Sequence, residues 1–446
     1  MLKSFIRKHL PEPVLNAYHF ALARAAAAWY GRPSDKLFVI GITGTNGKST
    51  TVQFVGRILE DAGYRVGWTS TAGFKVAGRE WTNKKKMTML GRFQTQRLLR
   101  QMVEAGCTHA IVETSSQGVA QSRHVGVNYD VAVFTNLTPE HVEAHGSFEA
   151  YKAAKGAFFA HVAKSRRKRE ADGRDRFKTS VVNVDDPHAP YFLSFDMDRR
   201  FGYGIKGKSL PAGELGAAFA PILAQDVRAE ATGTTFTIED RAFSLKPIGL
   251  FNAYDALAAI AACRAAGVGW EPIRRGVSRL EPVPGRLEFV DAGQPFTAVV
   301  DYAYEPAALQ ACFDALALLP RKRLIHVVGS AGGGRDVARR PLMGALSARH
   351  ADVVIVTNED PYDDDPKLII DQVAAGAERE GKKEGTDLHR VTERQDGIDL
   401  AVRLAKPGDL VLVTGKGSEP VMAVAGGRTI PWDDREAVRR AIRNRR

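Results

Sequence analysis

A chain of 446 residues exceeds one compact core, so two substantial domains are the starting expectation. Its net charge of +12 comes from Lys and Arg spread along the chain. No basic, aromatic-interleaved module points to nucleic acid, and an anionic substrate accounts for the excess. The absence of any run of about 18 uninterrupted apolar residues argues against a spanning helix. Three scattered cysteines, Cys107, Cys263 and Cys312, form neither a disulfide framework nor a zinc knuckle, and suit a cytoplasmic protein.

Residues 1–35 read as a separate helical segment. Leu2, Phe5, Ile6 and Leu10 alternate with Lys3, Arg7 and Lys8, Pro11 and Pro13 interrupt, and an Ala-rich helical run follows from Val14 to Tyr30. The segment carries too many charges for a secretory signal and no small-residue cleavage site. Two readings stay open: a helix packed on the next domain, which we favour, or peripheral contact of residues 1–30 with anionic lipid. Leu37–Ile40 is then a short buried strand, followed by a Gly-rich turn and a helix from near Lys48, where Val52, Val55, Ile58 and Leu59 recur at helical spacing.

Further strands are expected at Ala110–Val112, Val131–Phe134 and Ser180–Val182. Most are separated by helical patterns, which implies a parallel α/β sheet. The basic run Ser165–Lys178 reads as a solvated loop. Between Arg200 and Pro247 short alternating runs such as Thr234–Ile238 predict a small antiparallel sheet appended to this domain. A helix over Asn252–Ala266 and the turn-rich Glu281–Arg286 close it, giving a central domain over 36–284. Residues 285–446 repeat the alternation as a Rossmann-like α/β domain, with strands at Thr297–Val300, Arg323–Val328, Val353–Thr357 and Leu410–Thr414.

The strongest chemical signal lies between Ile40 and Thr50. A strand feeds Gly44-Thr45-Asn46-Gly47-Lys48-Ser49-Thr50, whose backbone N–H groups can converge on phosphate oxygens. The helix that follows adds its N-terminal partial charge, Lys48 adds a full one, and Ser49 or Thr50 supplies a hydroxyl for Mg²⁺. The usual spacing would place Gly at position 42, where Ile42 stands, so this is a variant phosphate loop.

T-G-T-N-G-K-S-T-T resembles the nucleotide loop of the Mur ligases, a superfamily that includes the folylpolyglutamate synthases. The resemblance continues in order through most of the chain after residue 36. Glu113-Thr114-Ser115-Ser116-Gln117-Gly118 resembles the segment whose carboxylate binds Mg²⁺ in the family, a hard cation that takes oxygen ligands. Thr135–His141 resembles T-N-L-x-x-D-H, which implies His141 at a second metal. Tyr151–Lys155 resembles Y-x-A-A-K, which implies that Lys155 is carbamylated.

Gly249–Leu257 is similar to the family's G-x-x-N-x-x-N-A-x, which carries Asn252 over as an adenine contact, with Asp255 in place of the second Asn. Pro284–Glu288 and Val299–Ala303 resemble P-G-R-x-E and V-x-D-Y-A-H. They imply nucleotide roles for Arg286 and Asp301, and Tyr304 stands where the His is expected. Gly329–Pro341 resembles the glycine-rich segment of muramyl-tripeptide synthetases. Val356–Tyr362 matches V-T-x-D-N-P-[RA], with Tyr362 in the place of the diaminopimelate-binding Arg, and Val413–Glu419 matches G-K-G-H-E, with Ser418 for His. On this resemblance Ser115, Gln121 and Arg123 hold the growing peptide, and Glu359, Asp360, Gly415 and Glu419 hold the incoming amino acid.

The resemblance implies an ATP-dependent amide-bond ligase with two Mg²⁺ ions, adding an amino acid to a muramoyl-peptide precursor through an acyl phosphate. A folylpolyglutamate synthase-like ligase and a ligase acting on a lipid-linked precursor are the alternatives. The family normally carries an extra N-terminal domain for a UDP-sugar, whereas this chain has only its helical segment, which leaves the acceptor's carrier group open.

Overall fold

The computed structural model describes residues 11–445 apart from 86, 141, 171, 206–218 and 336. Helix α1 (Glu12–Trp29) carries Pro13 in its first turn, where a missing N–H costs no helical hydrogen bond. It lays Ala23, Ala26 and Ala27 against α3 (Arg92–Glu104) and leaves Tyr18, Phe20 and Trp29 exposed. The described part of the segment is thus packed on the central domain. Leu2 to Leu10 lie outside the described residues.

Strand β1 (Phe38–Thr43) leads through the phosphate loop into α2 (Lys48–Asp61). Three short strands follow, β2 (Val66–Thr69), β3 (Gly73–Val76) and β4 (Arg79–Thr82), then α3, β5 (His109–Glu113), α4 (Ser116–Ala120) and β6 (Val131–Phe134). Next come α5 (Val142–His145), α6 (Phe148–Lys164), β7 (Thr179–Asn183), α7 (Ala189–Leu193) and β8 (Arg199–Ile205). Strands β9 (Phe219–Glu230), β10 (Gly233–Ile238) and β11 (Arg241–Leu245) precede helices α8 (Leu250–Ala265) and α9 (Trp270–Ser278).

These strands form one sheet in the order β11-β10-β9-β8-β7-β6-β1-β5-β2-β3-β4. Its centre, from β8 to β2, is parallel, and its middle strands are buried on both faces, as crossover helices require. The antiparallel part is continuous with this sheet rather than a separate layer. Strand β9 pairs in parallel with β8 over Phe219–Ala224 and antiparallel with β10 over its second half.

The second sheet is built from β12 (Glu288–Phe289), β13 (Thr297–Asp301), β14 (Leu324–Val328), β15 (Val353–Thr357), β16 (Leu388–Val391) and β17 (Leu410–Thr414). Its order is β12-β13-β17-β14-β15-β16, parallel except for β12. Helices α10 (Pro306–Leu316), α11 (Arg339–His350), α12 (Pro366–Arg379) and α13 (Arg394–Leu404) cover its faces. A small ribbon, β18 (Val421–Val424) with β19 (Arg428–Pro431), and a terminal helix α14 (Asp434–Asn444) complete it. Each sheet has an apolar cluster on either face, and no described helix is long and apolar enough to cross a membrane.

Candidate active site

The loops that leave the carboxyl ends of β1, β5 and β6 in the first sheet, and of β13, β14, β15 and β17 in the second, line two adjoining cavities. Carboxyl strand ends are where open α/β sheets gather their ligand loops. The cavities share Lys48, Thr71, Thr88, Tyr302 and Tyr304.

The first cavity surrounds the phosphate loop, with Thr45 to Thr50, Glu113, Arg286 and Asp301 among its lining. Gly44 and Gly47 have φ of +151° and +79°. A Cβ on Gly44 would lie 1.8 Å from Thr135 Oγ1, and one on Gly47 would lie 2.1 Å from Asp255 Oδ1. Only glycine turns the backbone inward here. Asn136 fixes the loop's shape, accepting from Asn46 N at 2.8 Å and donating to Asn46 O at 3.1 Å. Lys48 donates to Thr45 O at 2.6 Å.

Ser49 Oγ donates to Glu113 Oε2 at 2.8 Å, which places a hydroxyl and a buried carboxylate side by side at the loop. Thr71, between β2 and β3, donates to the same carboxylate from its backbone N (2.6 Å) and its hydroxyl (3.1 Å). Among the described residues no group of three or more His, Cys, Asp or Glu side chains is arranged to hold a metal ion by itself. The oxygen pair Ser49–Glu113 nevertheless fits a hard cation that takes its other ligands from phosphate and water.

Lys155, on α6, is buried and donates to Gly44 O at 2.6 Å. Burial, with Lys48 nearby, holds its amine well below the usual lysine range. His141 lies outside the described residues. Its neighbour Glu140 is buried and accepts a hydrogen bond from the Tyr304 hydroxyl of the second domain.

Arg286 lies over the Tyr302 ring at 4.1 Å, and Asp301 accepts from Leu287 N (2.6 Å) and Ala303 N (2.7 Å). Burial raises the Asp301 carboxyl, and nearby Arg286 opposes this. Asn252 does not line the cavity: its side chain donates to Ile248 O at 2.8 Å, and Phe251 and Tyr254 face the nucleotide side instead. Asp255 is buried beside the loop, with Thr51 Oγ1 at 3.3 Å, and burial pushes its carboxyl up to about 8.

The second cavity runs from Lys48 and Lys155 past Ser115 and Arg123 to Glu359, Asp360, Gly415 and Glu419. Ser115 caps α4, and Gln121, outside the lining, accepts from Arg123 Nη2 at 2.7 Å and so orients that guanidinium. In the second domain Lys416 joins Asp360 (3.0 Å) to Glu419 (2.5 Å), and Tyr302 donates to Glu419 at 2.9 Å. Glu359 is buried, and its Oε2 has no hydrogen-bond partner among the described residues. Burial, then Asp360, raises its carboxyl. Arg335 and Arg339 also line this cavity, whereas Arg340 is turned away onto Gln372 and Asp364.

The geometry thus brings a glycine-rich loop with Lys48, the Ser49–Glu113 oxygen pair and an acidic end around one space. Profile comparison agrees: the Mur ligase middle domain matches residues 42–263, and the Mur ligase glutamate ligase domain matches 285–417. A UDP-N-acetylmuramoyl-L-alanyl-D-glutamate–2,6-diaminopimelate ligase of Geobacillus kaustophilus (strain HTA426) is 37% identical over 431 residues, 95% of this chain and 83% of that protein. A UDP-N-acetylmuramyl-tripeptide synthetase of Roseiflexus sp. (strain RS-1) is 38% identical over 446 residues, 97% of this chain and 84% of that one. The chain belongs to the Mur ligase family. This Mur ligase is an ATP-dependent carbon–nitrogen ligase that uses Mg²⁺. The folylpolyglutamate synthase of Mycobacterium tuberculosis, at 18% identity and a TM-score of 0.65 over 89% of this chain and 92% of its own, shares the fold alone.

Sequence reasoning missed Thr71, Glu140 and Glu305. Asn46 Nδ2 donates to Glu305 Oε1 at 2.7 Å across the cleft. None of the three carries a role in the motifs; only their partners, distant in sequence, reveal them.

Proposed function

We propose that this Mur ligase joins an amino acid to a carboxylate of a muramoyl-peptide precursor. The observation that carries the reading is the continuous path from Lys48 and Lys155, past Ser115 and Arg123, to Glu359, whose buried Oε2 has no hydrogen-bond partner among the described residues. The acceptor's carboxylate oxygen attacks the γ-phosphorus of ATP, and ADP departs with the bond's electrons, leaving an acyl phosphate. The amino nitrogen then attacks the acyl carbon, phosphate leaves, and the nitrogen loses a proton to complete the amide. Lys48 offsets charge on the transferring phosphoryl group.

Ser49 and Glu113 would hold one Mg²⁺, which supplies charge neutralisation at the phosphates. A carbamylated Lys155 and His141 would hold a second. Carbamylation needs an unprotonated amine, and the lowered value at buried Lys155 supports that state. Arg286 and Asp301, with Gly44 to Thr50, would serve the nucleotide, and Glu359, Asp360, Gly415 and Glu419 the incoming amine.

The amino acid is expected to be basic, lysine before diaminopimelate. Tyr362 stands at the position of the Arg fork and lines the cavity beside three carboxylates. The neighbouring Asp363 and Asp365 accept from Gly426 N and Lys367 N, and Asp364 pairs with Arg340. Arg335, over the Tyr362 ring at 4.9 Å, favours diaminopimelate as the second choice. A competition assay with muramoyl-dipeptide acceptor, ATP and both amino acids tests the reading. Lysine should be incorporated preferentially; a product rich in diaminopimelate sinks the specificity argument, and no product with either amino acid sinks the function.

A further inference from the structure

The two loops assigned above to the incoming amine leave different strands. Asn358-Glu359-Asp360 follows β15, and Gly415-Lys416 follows β17, with β14 between them in the sheet. Their relative position therefore needs something that spans the sheet end. One link is the buried ion pair of Lys416 with Asp360. In the second link one guanidinium reaches both loops. Arg394, the first residue of α13, donates from Nη1 to Asn358 O at 3.1 Å and from Nη2 to Thr414 O at 2.7 Å. Each carbonyl immediately precedes a residue that lines the cavity, Glu359 on one side and Gly415 on the other. The loops meet closely there, since a Cβ on Gly415 would lie 2.5 Å from Glu359 Oε2.

The guanidinium is itself fixed by Asp434, the first residue of α14. Arg394 Nε donates to Asp434 Oδ1 at 2.8 Å and Nη2 to Oδ2 at 2.7 Å, a two-pronged pair with both side chains fully buried. Trp432 Nε1 adds a donor to Asp434 Oδ1 at 2.8 Å. Helix α14 is in turn seated by Ala437, Val438, Ala441 and Ile442 in the apolar cluster under the sheet. All of Trp432, Asp434 and α14 lie beyond residue 417, where the family profile's match ends.

We propose that Arg394, locked by Asp434 and Trp432, is a positioning residue that sets the spacing of the two amine-binding loops, so that the terminal helix governs amino-acid binding. The inference rests on the amine role given to Glu359 above. The planar fork makes four hydrogen bonds in fixed directions, two to one carboxylate and two to backbone carbonyls, which an ammonium with three donors cannot supply.

The test is steady-state kinetics on the full chain, with KM for lysine and for ATP and the thermal midpoint measured in parallel. Arg394→Lys keeps the charge and loses the fork. It should raise KM for the amino acid about tenfold while KM for ATP stays within about twofold. Trp432→Phe removes only the indole N–H and should shift the amino-acid KM in the same direction by a smaller factor, again without moving that for ATP. If Arg394→Lys does not fold, the Trp432→Phe split decides alone. Amino-acid and ATP constants that move together, or not at all, overturn the proposal, because a merely structural role predicts one or the other. Glu359→Gln separates the two readings. An unchanged amino-acid KM in that variant overturns the amine site itself; a raised one, beside unmoved Arg394→Lys and Trp432→Phe, overturns only the strap.

Discussion

Lys48 and Asp255 both adjoin the glycine-rich turn. Lys48 is the loop's own cation, and its removal leaves the folded turn intact because Asn136 and Thr135 hold the backbone. Lys48→Ala should therefore lower ATP turnover by about a hundredfold or more with an unchanged thermal midpoint, read in an ADP-release assay. Burial raises the Asp255 carboxyl to about 8. A folded value above the unfolded one means the stabilising contribution is fully present below the unfolded value of 3.8 and is lost as pH rises through about 8. Ionisation there also puts a negative charge beside Gly47, in the loop proposed above to hold phosphate. KM for ATP should climb above about pH 8, and Asp255→Asn, which keeps the shape without the ionisation, should flatten that rise. A parallel climb in both proteins would assign it to another group.

The elements that carry strong periodicity were legible in the sequence: β1, β5, β6 and β7 end within a few residues of their expected limits, as do α8 and the central strands of the second sheet. Strands β2, β3 and β4 were not, because each has four residues and β4 is mostly exposed, so no alternation accumulates. Edge strand β16 is partly exposed and escapes for the same reason. The phosphate loop and its cation pair were readable because they are local motifs. The expected adenine contact was less so, for the Asn252 side chain turns back to Ile248 O ahead of its helix, and Tyr304 and Glu140 gain meaning only when two domains meet. Helix packing depends on equally non-local facts. A Cβ on Gly376 of α12 would fall 1.9 Å from Pro341 O, and one on Gly344 of α11 would fall 1.8 Å from Val373 O, so these helices cross backbone to backbone. Gly376→Ala should cost roughly 1–3 kcal/mol in urea unfolding, despite alanine's better helix propensity. A variant as stable as the parent would show that the crossing has slack.

Across the whole molecule the site exists only because two sheets present their carboxyl ends to one cleft, and few polar links cross it. Asn46 meets Glu305, Val337 N meets Glu143 at 3.2 Å, and the Tyr304 hydroxyl meets Glu140. The last is the most telling, since Tyr304 replaces the His of the family pattern and its partner adjoins His141 in sequence. Both groups border the space where an acyl phosphate would form, between Lys48, Lys155 and Glu359. An activated acyl group is lost to hydrolysis whenever water enters, so closure must hold until the amine arrives. Tyr304→Phe keeps the ring that lies under Arg339 but deprives buried Glu140 of a donor, a loss of about 1–3 kcal/mol at the closed interface. The expected signature is uncoupling: ADP formed per amide bond should rise several-fold while KM for ATP changes little. Measuring ADP and ligated product in the same reaction checks this. A ratio that stays at one in Tyr304→Phe would mean that the two domains close on the substrates themselves, with the tyrosine a bystander to the seal.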